Sequence, residues 1–129
     1  MTETRTIAGC PVFIDGQGPQ TLVMIHGWPD THRIWSHQVA FFRERYRCVT
    51  FSLPGFDSMD EGHSLDQIIG SIAAVVDGVS PDAPVILMIH DWVACLAMNT
   101  CAAIRSASRG WWRSISAIPT RAPSSVNCR

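Results

Sequence analysis

Short runs of apolar residues divide the first ninety residues of the chain, and each has the length of a β-strand. Residues 21–25 and 85–89 are almost continuously apolar, and residues 47–53 form a further strand-length run in which apolar residues alternate with polar ones. Such runs suit strands that are covered on both faces, as in a parallel sheet. A further short strand is predicted at residues 11–15, before a turn at residues 16–19 that contains two glycines and a proline.

Between these runs the apolar residues recur at helical spacing. The pattern predicts one helix over residues 34–45 and another over residues 64–78. The second helix has a clear start signal, because Ser64 is followed three residues later by Gln67, as in a capping box. A third helical stretch is expected after residue 92.

Strands that alternate with helices predict an α/β fold, with a mostly parallel sheet and helices on both faces. In such sheets ligands bind at the carboxyl ends of the strands. Two chemically distinctive segments fall at strand ends, His26-Gly27-Trp28-Pro29 after residues 21–25 and His90-Asp91-Trp92 after residues 85–89.

The bulk composition restricts the function classes. Of the 129 residues, 47% are hydrophobic and 16% are charged, which is typical of a globular domain. The net charge of −1 gives no electrostatic reason to expect nucleic acid or an anionic membrane as partner. No apolar run is long enough to span a bilayer, and we expect a cytoplasmic protein. The five cysteines have no regular spacing, so neither a disulfide framework nor a metal site is predicted, and no cofactor is expected.

Asp91 has the setting of a nucleophile. A strand that ends abruptly in a reactive side chain and turns into a helix is the arrangement called a nucleophile elbow. A carboxylate there can attack carbon and form an ester intermediate. The backbone N–H of Trp92 and one near Trp28 would be the oxyanion donors.

Three segments together resemble the α/β-hydrolases that use an aspartate nucleophile, namely the epoxide hydrolases and haloalkane dehalogenases. The segments are MIHGWPDTHRIWSHQ, SLPGFD and HDW, and the resemblance runs from about residue 12 to Trp92. It implies the N-terminal part of an α/β-hydrolase fold and a small-molecule substrate. It also implies Asp91 as the nucleophile, and a site formed by His26, Gly27, Trp28, Pro29 and Trp92.

The resemblance favours an epoxide hydrolase over a haloalkane dehalogenase. Dehalogenases of this kind usually carry an asparagine that helps to hold the halide, and Trp28 stands at that place here. The expected role of His26 is to hold the loop rather than to take part in chemistry. In the family a histidine and a supporting acid follow far downstream, after a cap domain, and these 129 residues leave no room for them. We therefore expect this truncated chain to be inactive on its own, and whether it is an enzyme is left open.

The resemblance ends after Trp92, which divides the chain into residues 1–92 and a tail, residues 93–129. The family has glycine where Ile89 and Val93 stand, and a β-branched residue predicts a steric penalty in a tight turn. We hypothesise that the tail is read in a shifted frame. If one base was lost after the Trp92 codon, each original codon spans the last base of one present codon and the first two bases of the next. The original codons that span residues 92–93, 98–99 and 111–112 then encode Gly, Glu and Val, which fits the family pattern. The alternative is a divergent C-terminus.

Two other functions stay open at this stage. The chain could be a non-enzymatic small α/β domain that binds a partner through an exposed sheet edge. It could also be a small hydrolase that completes its site with residues from another copy. The sequence identifies neither the substrate nor the oligomeric state.

Overall fold

The computed structural model describes residues 2–56, 62–91 and Val93, and every structural statement below concerns these residues. They form one sheet with a helix on each face. The strands are β1 (Glu3–Ile7), β2 (Cys10–Asp15), β3 (Gln20–Ile25), β4 (Tyr46–Phe51) and β5 (Val85–Ile89), and the helices are α1 (Ser36–Phe42) and α2 (Leu65–Val79). A 3-10 turn, His32–Trp35, leads into α1. Trp92 and the predicted tail beyond Val93 lie outside the described residues.

The sheet has the strand order β1-β2-β4-β3-β5. The central strand β3 pairs in parallel with β4 and with β5, as the apolar runs predict. The two N-terminal strands form the antiparallel part of the sheet, since β2 runs antiparallel to both β1 and β4. For β1 and β2 the physical reason is the connection. Ala8 and Gly9, both with positive φ, form a two-residue turn that can join only antiparallel strands.

The two faces of the sheet carry separate apolar clusters. On one face α2 packs through Ile68, Ile72, Val75, Val76 and Val79 against side chains from β2, β3, β4 and β5. On the other face Trp35 and the partly buried residues of α1 cover Leu22, Met24 and Cys48. This is the two-sided covering that the continuous apolar strands predict.

The helix starts follow local hydrogen bonds. The Ser64 side chain accepts from the Gln67 N–H, and the Gln67 side chain accepts from the Ser64 N–H, so the predicted capping box of α2 is confirmed. At the other end of α2, the Arg47 guanidinium donates to the Val79 carbonyl at 2.7 Å.

Neither described helix is long and apolar enough to cross a membrane.

Candidate active site at the ends of β3 and β5

The loops that follow β3 and β5 leave the sheet side by side. Ile25 lies opposite Ile89 in the parallel register, so both strands end at the same level. The His90 N–H continues this pairing by donating to the Ile25 carbonyl at 3.0 Å. The fold thus brings the predicted segments 26–29 and 90–91 together, as expected for neighbouring parallel strands.

Gly27 and Asp91 are in contact. A β-carbon built on Gly27 would lie 2.6 Å from Cβ of Asp91 and 3.0 Å from its carboxylate atom Oδ2. Real β-carbons are not found that close to another heavy atom, so only glycine allows the loop backbone to reach Asp91. The contact places the backbone of the loop after β3 directly against the Asp91 side chain.

Asp91 has the backbone conformation of a tight elbow. Its φ is +63°, in the left-handed region that non-glycine residues seldom adopt, and its side chain is exposed. Residues held in this region cluster at functional sites. The neighbours Ile89 and Val93, for which the sequence predicts a steric penalty, are both buried in the core under α2, 5% and 0% exposed. The left-handed conformation therefore falls on Asp91 itself, and the two β-branched side chains are accommodated by packing.

His26 holds the loop after β3 to the loop after β4. The side chain is fully buried, and its Nε2 accepts a hydrogen bond from the Leu53 N–H at 2.9 Å. The proton of this neutral ring must then be on Nδ1, which lies 2.9 Å from the Gly27 carbonyl and donates to it. With both ring nitrogens engaged, His26 is placed to fix the position of Gly27.

Trp28 and Pro29 form the exposed tip of the same loop. The peptide bond between them is cis, and the Asp30 N–H donates to the Gly27 carbonyl at 3.0 Å to close the turn. The indole of Trp28 is 68% exposed, which is unusual for such a large apolar group. Trp28 directly follows Gly27, which contacts the nucleophile candidate, and its exposed indole is accessible to a ligand.

The surroundings of His90 were not predicted. Its imidazole packs edge-on against Trp35, with ring centroids 6.4 Å apart. Its Nδ1 lies 4.0 Å from Oδ2 of Asp30, too far for a hydrogen bond, and it has no hydrogen-bond partner in the described part of the chain. Asp30 and Trp35 come from the segment after β3, and their contacts with His90 depend on where the 3-10 turn lies over the sheet, which the sequence does not indicate.

Residues 2–56 and 62–91 do not support metal binding or thiol chemistry. No group of three or more His, Cys, Asp or Glu side chains is arranged to hold a metal ion there. Burial raises the pKa of the Cys10 thiol, and burial with the nearby Asp15 charge raises the pKa of Cys48 to about 11, so both thiols stay protonated. A cavity of about 280 Å³ lies on the α1 face, against β2 and β4, and no predicted site residue lines it.

Comparison with known proteins assigns the family. The sequence profile of the Alpha/beta hydrolase family matches residues 22–121, which is most of the chain. The chain therefore belongs to the α/β-hydrolase family. The match extends past Val93, although the resemblance by motif ends at Trp92.

Several of the similar proteins are named as epoxide hydrolases. Epoxide hydrolase 1 of Caenorhabditis elegans is 30% identical over 59% of this chain, which corresponds to 20% of the worm protein. Potato (Solanum tuberosum) epoxide hydrolase I superposes with a TM-score of 0.65 at 25% identity, over 78% of this chain and 35% of the potato chain. The Vigna radiata enzyme VrEH1 gives a TM-score of 0.64 at 27% identity, over 79% and 35%. The chain thus has the N-terminal portion of the epoxide hydrolase fold, and spans about a third or less of these proteins.

Proposed function

We propose that this chain carries the nucleophile of an epoxide-hydrolase-like reaction, with Asp91 as the attacking carboxylate. The observation that supports this most directly is the pairing of an exposed Asp91 at φ +63° with the backbone of Gly27. Similar proteins in worm, potato and Vigna are named as epoxide hydrolases, which supports the proposed substrate class.

The proposed step is a displacement at carbon. A carboxylate oxygen of Asp91 attacks one carbon of the epoxide, and the bond from that carbon to the ring oxygen breaks. The ring oxygen leaves as an alkoxide and takes a proton from water. The product is a β-hydroxyalkyl ester on Asp91, so no oxidant or cofactor is required.

The neighbouring residues have supporting roles in this proposal. The backbone N–H groups of Trp28 and Trp92 serve as oxyanion donors, with Trp92 outside the described residues. His26 positions Gly27 through its two hydrogen bonds. The exposed Trp28 indole, together with Pro29, offers an apolar surface for the body of the epoxide.

Counting opened epoxide tests the proposal. The purified chain is incubated with excess styrene oxide, and the opened epoxide per chain is compared with that of Asp91→Asn. Asparagine keeps the size of aspartate and tolerates a positive φ, so the fold should persist. We expect the chain to open about one equivalent of epoxide more than Asp91→Asn does, because each nucleophile forms one ester.

Asp82→Asn, which removes an exposed carboxylate before β5, is the matched control and should behave as the unmodified chain. Equal epoxide opening by the chain and by Asp91→Asn would reject the proposal and favour a non-enzymatic binding domain. A parallel incubation with a bromoalkane tests the haloalkane dehalogenase alternative, which predicts Asp91-dependent bromide release.

A further inference from the structure

We infer that β1 is a dimerisation edge: it pairs in antiparallel with β1 of a second copy of this chain, in the register that sets Thr4 opposite the partner's Thr4. The strand order places β1 at one edge of the sheet, and no strand in the described part of the chain pairs with its outer side. An unpaired strand edge is a template for a further strand, because its backbone groups can still form hydrogen bonds. The inference is independent of the chemistry proposed for Asp91.

The turn between β1 and β2 decides which backbone groups of β1 point outward. Because two residues join the strands, the closing pair Ile7 and Cys10 exchanges hydrogen bonds within the hairpin. Bonded and non-bonded pairs then alternate along the ladder. Pro11, which has no N–H, lies opposite Thr6 at a non-bonded position, in agreement with this assignment. The residues whose N–H and C=O groups point to the free edge are therefore Thr4 and Thr6 and, by continuation, Thr2.

The side chains make this edge self-complementary. In an antiparallel pairing centred on Thr4, Glu3 lies opposite the partner's Arg5, and Arg5 lies opposite the partner's Glu3. Thr4 exchanges both backbone hydrogen bonds with the partner's Thr4, and Thr2 does so with the partner's Thr6. Opposite charges and threonine pairs are both favourable when they face each other across two strands.

The charged side chains are available for this pairing. Glu3 and Arg5 take the non-hydrogen-bonded positions between the two copies, where opposed Cα atoms are only about 4.5 Å apart. Within one chain Arg5 Nε already donates to Glu3 Oε1, and both side chains are about half exposed. Dimerisation therefore brings two glutamates and two arginines together with alternating sign.

The same charges exclude the neighbouring registers. A pairing centred on Arg5 would set two arginines face to face, and one centred on Glu3 would set two glutamates face to face. Like charges directly opposite each other destabilise a strand pair. Of these three registers, only the one centred on Thr4 joins opposite charges at both positions.

Sedimentation velocity of the full chain over a range of concentrations tests the inference. Because β1 has only five residues, the contact is smaller than that of a permanent dimer, and we expect a dimer that dissociates on dilution. Arg5→Glu and Glu3→Arg each set like charges face to face, so each should raise the dissociation constant at least about tenfold. Arg45→Glu and Glu44→Arg make the same changes in charge at exposed positions after α1, and should dimerise as the unmodified chain does.

A mixture of the two β1 variants gives a sharper test. When one Arg5→Glu chain pairs with one Glu3→Arg chain, every charge again meets its opposite. We therefore expect the equimolar mixture to form a heterodimer at concentrations where each variant alone is monomeric. Thr4→Pro removes an outward N–H without removing a bond to β2, so it should abolish dimerisation and keep the fold, whereas Thr4→Ala should retain the dimer.

The outcomes decide the inference in each case. A monomer at every concentration, or association beyond two copies, would overturn it. A dimer that persists in both charge variants would also overturn it, as would a mixture that does not associate although both variants keep the circular dichroism spectrum of the unmodified chain. If a charge variant loses that spectrum, Thr4→Pro decides: loss of the dimer in that variant supports the pairing, and an unchanged dimer contradicts it.

Discussion

Because Gly27 has no side chain, the loop after β3 can lie in contact with the loop after β5. Gly27→Ala would drive a methyl group into Cβ of Asp91, so the loop or the elbow must shift. We expect a loss of about 1–3 kcal/mol in the free energy of unfolding. We also expect ester formation at Asp91 to fall at least tenfold, roughly the effect of a displaced catalytic group. Thermal unfolding and intact mass after treatment with styrene oxide measure the two effects.

Gly70 offers the matched control for this substitution. It lies in α2, and a β-carbon there would meet nothing within 4 Å. Gly70→Ala should stabilise the chain by roughly 0.5–1 kcal/mol, as alanine does in a helix, and leave Asp91 labelling unchanged. Equal labelling by the two glycine variants would show that the Gly27 contact does not position the nucleophile.

His26→Ala tests the structural role of the buried imidazole. The substitution removes the acceptor of the Leu53 N–H and one donor to the Gly27 carbonyl, and it opens a cavity. Because each buried group left unsatisfied costs about 1–3 kcal/mol, we expect a loss of at least that size in urea unfolding. His37→Ala, on the exposed side of α1, should change stability by less than about 0.5 kcal/mol. A similar small change for both variants would contradict the assigned hydrogen bonds.

Cys48 gives the fold a predictable response to alkaline pH. Its pKa is about 11 in the folded chain and 9.0 in the reference state, because burial and the Asp15 charge favour the neutral thiol. Below pH 9 both states keep the proton and stability is unaffected by this group. Between pH 9 and 11 the unfolded chain loses the proton first, so stability falls by up to about 1.4 kcal/mol per pH unit. Cys48→Ala should lose less stability over this range; an identical pH profile would refute the effect.

At the scale of elements, α2 was the most predictable part of the chain. Ser64 and Gln67 mark its start in the sequence, and both hydrogen bonds of the capping box are present. Ser64→Ala should cost about 1 kcal/mol in chemical unfolding, because it leaves the Gln67 N–H without its acceptor. Ser71→Ala removes an exposed bond to the carbonyl one turn earlier and a side-chain bond with the Cys10 thiol, and should cost less than Ser64→Ala because no backbone N–H loses its acceptor. Comparable losses from the two serine variants would show that the cap does not stabilise α2.

Other elements could not be located from apolar pattern alone. The strand β1 carries exposed Glu3, Thr4, Arg5 and Thr6, and only its pairing with β2 makes it a strand. The helix predicted over residues 34–45 is divided into a 3-10 turn and the shorter α1. Strand β4 stops at Phe51 rather than at Leu53, because the Leu53 N–H bonds His26 instead of a neighbouring strand.

At the scale of the whole molecule, one rule of sheet topology was enough to predict that segments 26–29 and 90–91 lie side by side. Parallel neighbours end at the same edge of a sheet, and the sequence showed a distinctive segment after each strand. The rule did not extend to the contacts of His90 with Trp35 and Asp30, because these depend on where the 3-10 turn lies over the sheet. The positive φ of Asp91 was expected only in the general sense that an elbow is tight.

The most direct test of the central claim is to locate the epoxide on the chain. Native chain and chain unfolded in urea are each treated with styrene oxide, digested, and sequenced by tandem mass spectrometry. The account predicts that the hydroxylamine-labile label in the native chain lies on Asp91, and that in urea it spreads over the eleven aspartates and glutamates. A native label spread in the same way, or concentrated on another carboxylate, would contradict the claim that the elbow after β5 makes Asp91 a nucleophile.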